Sequence, residues 1–83
     1  MNITNFIQQE GESLYEAWER FRDVLRKCPH DRLSDWFIVQ IFYNGLNFLT
    51  KTAIDATTYG GLMDKSFQET QNLIEKMVAN NYQ

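Results

Sequence analysis

The sequence predicts an all-α fold, a small bundle of about four helices, and two observations carry that reading. Two Ser-x-x-Glu capping boxes, Ser13–Glu16 and Ser66–Glu69, head segments whose apolar residues recur every three or four positions. Chain breakers at Gly11, Cys28-Pro29-His30-Asp31, Gly45 and Gly60-Gly61 then divide the chain into segments of helical length.

The opening stretch, Met1 to Gln9, holds Ile3, Phe6 and Ile7 with weak periodicity. It reads as the end of an upstream helix or as an extended arm packed on the bundle. A first helix is expected at about residues 14–27. The Ser13 hydroxyl and Glu16 carboxylate satisfy orphan amides at its start, and Leu14, Trp18, Phe21, Leu25 and Cys28 form one stripe. Pro29 ends it.

A second helix is expected at about 35–44, with Ser34 as cap and Gly45 as a left-handed stop. At ~100° per residue, Ile38, Ile41 and Phe42 share one side, Trp36, Val39, Gln40 and Tyr43 share the other, and Phe37 falls between. A helix apolar on both sides is either central or lies with one face against another molecule. With so few other elements to cover it, partner contact is the favoured reading. The third helix, about 48–56, starts after an Asn47 cap and carries Phe48, Leu49, Ala53 and Ile54; a Thr- and Gly-rich loop follows. The fourth, about 67–79, buries Phe67, Thr70, Leu73, Ile74, Met77 and Val78.

An 83-residue chain supports one domain with a modest core. Cys28 and His30 are each the only residue of their type, which leaves no disulfide framework and no cysteine-based or two-histidine metal motif. No apolar run approaches the ~18 residues that would cross a bilayer, and no signal peptide opens the chain, so a cytoplasmic location is expected. A net charge of -3 disfavours nucleic acid as the partner. Arg20, Arg22, Arg26, Lys27 and Arg32 do cluster, but Glu16, Glu19 and Asp23 interleave with them as on a solvated helix face. Six Phe, four Tyr and two Trp are more aromatic residues than one small core can take, which points to an interface.

The chemistry-bearing patterns are sparse. There is no phosphate-binding glycine loop, carboxylate pair or metal-ligand spacing. Cys28 beside His30 and Asp31 lacks an orienting group and a pocket, so it reads as a helix terminus with the thiol packed inward. Met63 and Met77 read as core filler. No cofactor, small-molecule substrate or enzymatic activity is expected. Gln8, Gly11, Glu12 and Arg20 surround the first helix start: a Glu12 carboxylate receiving the Arg20 guanidinium would fix how the chain comes in, but on the residues alone four ordinary surface residues is the favoured reading.

With those residues in view, the chain resembles a capsid segment of gypsy-type LTR retrotransposon Gag proteins. The resemblance rests on Glu12-Ser-Leu-Tyr-Glu-Ala-Trp-Glu-Arg-Phe21, Cys28-Pro29, Phe42-Tyr-Asn-Gly-Leu-Asn47, Leu73-Ile-Glu-Lys-Met77 and Asn80-Asn-Tyr82, and it spans essentially the whole chain. It is also similar to the retroviral capsid C-terminal domain and to the C-lobe of neuronal Arc. Gln8, Glu12, Arg20 and Phe21 fit the spacing of the major homology region of those proteins. Gly11 departs from it by not adjoining Gln8, and Ala17 stands where retroviruses carry an aromatic, with Trp18 one place later.

The resemblance implies a single capsid C-terminal-type domain over residues 1–83, with an incoming arm and turn in 1–12. It implies a structural role, with the second helix pairing with its twin across a twofold axis during particle assembly. The contact face then maps to Leu33, Trp36, Phe37, Gln40 and Asn44, and the helical wheel adds Tyr43. The implied partner is a second copy of the chain, in a homodimer or larger shell, with no nucleic acid or membrane contact from this domain. A domesticated Gag-derived adaptor that binds other proteins through a groove is the alternative.

Overall fold

The computed structural model describes residues 3–27, 33–58 and 61–80. Four helices follow in order: α1 Leu14–Lys27, α2 Asp35–Asn44, α3 Phe48–Thr57 and α4 Phe67–Ala79. The chain is all-α over these residues, a small bundle preceded by one short 3-10 turn, Ile3–Asn5.

Each helix starts where a side chain can take its orphan amides. Ser13 and Glu16 close a capping box, with Glu16 N–H donating to Ser13 Oγ at 3.1 Å and Ser13 N–H to Glu16 Oε1 at 2.9 Å. Ser66 and Glu69 repeat it on α4. Ser34 accepts from Phe37 N–H, and Asn47 from Thr50 N–H. Asp35 Oδ2 also accepts Phe67 N–H at 2.7 Å, so the head of α2 helps cap α4. The third helix runs one residue beyond the expected end, with Thr57 Oγ donating back to Ala53 O.

The core is an aromatic cluster. Trp18 and Phe21 from α1 meet Phe42 from α2 with ring centroids 4.9 and 5.1 Å away, Phe67 lies 5.0 Å from Trp18, and Phe6 from the arm lies 4.9 Å from Phe21. Trp18 is wholly buried, and its indole N–H donates to Gln71 Oε1 at 2.6 Å. Leu14, Ile54, Leu62, Ile74 and Met77 are among the apolar residues packed around it. The arm is therefore packed on the bundle, with Ile3 and Phe6 buried.

Three sequence expectations need correction. Gly45 does not stop α2 in a left-handed conformation; its φ is -84°, which any residue adopts. A glycine is required for another reason: a Cβ there would overlap the Phe6 carbonyl oxygen and lie 3.0 Å from its carbon. Val39, placed by the wheel on the partner side, is fully buried; the fourth helix packs on α2, and the neighbouring Gln40 reaches Leu62 O. Met63 is not core filler but is 60% exposed, while Met77 is buried. The expected Cys28–His30–Asp31 terminus lies outside the described residues.

Candidate functional site

Two groups of residues were marked in the sequence; hydrogen bonds join the first, while the second divides between exposed side chains and ones turned toward their own chain. The first is the polar turn before α1. Gly11 takes φ 77°, the left-handed conformation that glycine adopts without strain, and this folds Glu12 back toward the arm. The Glu12 carboxylate receives the Arg20 guanidinium through two bonds, Nε to Oε2 at 2.8 Å and Nη2 to Oε1 at 2.9 Å. The same Nη2 donates to Ile7 O at 2.7 Å, and the guanidinium carbon stands 4.5 Å from the centre of the Phe6 ring.

Gln8 extends the tie to the α2–α3 junction. It is buried: its Nε2 donates to Glu12 O at 2.7 Å, its Oε1 accepts Asn47 N–H at 2.9 Å, and its backbone N–H donates to Gly45 O at 2.8 Å. Arm, turn, α1 and the α2–α3 junction are thus joined through three side chains, Gln8, Glu12 and Arg20. Phe21, one residue beyond Arg20, lies inside the core rather than in this polar group. The other basic residues of α1 behave differently. Arg22 pairs with Glu19, and Arg26 and Lys27 pair with Asp23, all on an open face.

The Arg20 bond holds the Glu12 carboxyl below its ordinary pKa against the opposing effect of burial, and the Gln9 amide and the Arg20 charge add to it. A depressed folded-state pKa means that the stabilisation is present above the unfolded carboxyl range and fades as pH falls through the lower folded value. Stability of the parent is therefore expected to drop more than that of Glu12→Gln between about pH 5 and pH 3. Either Glu12→Ala or Arg20→Ala is expected to cost about 1–2 kcal/mol, read as a lower melting temperature by circular dichroism. Unchanged melting in both would remove the tie as a stabilising element.

The second group is the face assigned to α2. Trp36 and Phe37 in its first turn are 52% and 42% exposed, and Asn44 at its end is exposed. Gln40 and Tyr43 are turned toward their own chain: Gln40 Nε2 donates to Leu62 O at 2.9 Å, and Tyr43 Oη donates to Asp55 at 2.8 Å. Burial first, and then the Asp55 bond, raise the Tyr43 pKa, so the phenol stays protonated. Leu33 is half-buried against the core. The Trp36 indole N–H donates to Met63 O. The ring is left as an exposed apolar surface whose single polar atom is already satisfied.

Neighbours of this face went unmarked in the sequence. Ile7, 62% exposed, shares a groove of about 560 Å³ with Phe37, Ile41 and Asn44, between the arm and α2. Met63 lines a cleft with Gln40, Tyr43 and Asp55. The one available signal for Ile7 was its place beside the inward Phe6 in an extended arm, where adjacent side chains point opposite ways. Phe48 and Leu49, at the start of α3, form a further exposed apolar pair at 80% and 78%.

Among the described residues, no group of three or more His, Cys, Asp or Glu side chains is placed to hold a metal ion. No described helix is long and apolar enough to cross a membrane. No family model, curated protein or solved structure matches the chain.

Proposed function

We propose that this chain is a structural assembly domain of the Gag capsid kind that it resembles, and that it pairs with a second copy of itself through α2. The observation that supports this most is the exposure of Trp36 and Phe37 side by side in the first turn of α2, with the indole N–H engaged internally. A half-exposed tryptophan with no free polar atom suits a dry contact and gains little from water. In an isologous pair the same patch serves both partners, so each apolar ring counts twice. The proposed role is non-enzymatic, cytoplasmic and free of cofactor, nucleic acid and membrane, with particle assembly as its setting.

Amide NMR spectra at rising protein concentration test the reading. Shifts confined to the first turn of α2 and to Leu62 and Met63 are expected, with the Gly11 turn unmoved. Spectra independent of concentration would overturn it.

The groove between arm and α2 favours the second reading, an adaptor for other proteins, because Ile7, Phe37 and Ile41 present an apolar channel edged by Asn44. Peptide capture by a chain that never self-associates would support the adaptor instead.

A further inference from the structure

We infer that the Met63 thioether is an oxidisable site on the pairing face, where sulfoxide formation by a hydroperoxide switches pairing off. This rests on the α2 pairing proposed above.

Three residues of the assigned face converge on the short segment that carries Met63. Gln40 donates to Leu62 O, Trp36 donates to Met63 O, and Tyr43 lines the same cleft as the Met63 side chain. The backbone bonds fix the segment, and the side chain beyond them is 60% exposed. Met77, by contrast, is 1% exposed inside the core. The two thioethers therefore differ in access to a peroxide within one small molecule, and susceptibility follows exposure.

The chemistry is self-contained. A sulfur lone pair attacks one peroxide oxygen, forming the S–O bond as the O–O bond breaks. The second oxygen leaves with a proton as water or an alcohol, the sulfur is oxidised by two electrons, and the peroxide is reduced by two. A flexible apolar side chain becomes a polar one with a strong acceptor. Among the described residues of the assigned face, the Trp36 N–H and one Gln40 Nε2 hydrogen already bond backbone carbonyls, and the Tyr43 hydroxyl bonds Asp55. Burying that acceptor against a second copy opposes pairing.

The test treats the full chain with dilute hydrogen peroxide, locates added oxygen by peptide mass mapping, and measures self-association by sedimentation. Met63 is expected to oxidise well before Met77, the dimer dissociation constant to rise about tenfold or more, and methionine sulfoxide reductase to restore it. The dissociation constant of Met63→Leu, whatever its starting value, should not change on peroxide treatment, which separates Met63 from Cys28 and Met1. Equal oxidation of Met63 and Met77, or peroxide-treated parent pairing unchanged, overturns the switch while leaving α2 pairing intact. A parent that never self-associates overturns both.

Discussion

Gly45→Ala is expected to be the most damaging single-methyl substitution in the arm and helix junctions. The added Cβ would overlap the Phe6 carbonyl oxygen and approach its Cδ2 to 3.1 Å. The obstacle is backbone, so no rotamer change relieves it. Either the arm lifts from the bundle or the α2–α3 junction shifts. Lifting the arm exposes Phe6, which packs on both Phe21 and Phe42, and breaks the Gln8 bonds to Gly45 and Asn47. A cost on the order of 3 kcal/mol follows from overpacking combined with lost burial, or a fall of about 15 °C in melting temperature for a domain of this size. Gly11→Ala supplies the contrast. Nothing lies within 4 Å of its added Cβ, and only its φ of 77° resists, so about 1 kcal/mol is expected. Equal effects at the two positions would show that close approach is not what Gly45 serves.

The second large effect concerns association rather than folding. Trp36→Ala should weaken pairing by about 2 kcal/mol or more, roughly thirtyfold in the dissociation constant, the range of a central aromatic anchor. Helix content should hold, because Trp36 is half-exposed and α2 keeps its Ser34 cap and its buried residues Ile38, Val39, Ile41 and Phe42. Phe48→Ala removes a more exposed ring from α3 and should leave association unchanged, which distinguishes a specific face from general stickiness. Sedimentation velocity on the three proteins reads both outcomes. Trp36→Ala that associates like the parent would remove this residue from the contact.

The helices were legible because their signals are local. Ser13–Glu16, Ser34, Asn47 and Ser66–Glu69 lie within a turn of the amides they satisfy, and the α1 and α4 stripes show in the spacing of Leu14, Trp18 and Phe21 and of Thr70, Ile74 and Met77. The Glu12–Arg20 pair was also within reach, since both residues lie close to one helix start. What failed depends on distant chain. Val39 looks outward on a wheel, yet it is buried in the fold, where the fourth helix packs on α2 and the chain at Leu62 meets the neighbouring Gln40. Gly45 looks like a helix stop until Phe6, 39 residues earlier, is found against it. Met63 is an apolar residue in a loop, where no periodicity tells inward from outward, and Ile7 had only the alternation with Phe6 to mark it.

The pairing of α2 is tested most directly by solution mass against concentration for the unmodified chain. A mass rising from 9.9 kDa toward twice that value as concentration increases, with the rise shifted to higher concentration by Trp36→Ala, is the expected result. A mass that stays at 9.9 kDa up to about 1 mM, where even contacts worth only about 4 kcal/mol become visible, contradicts it.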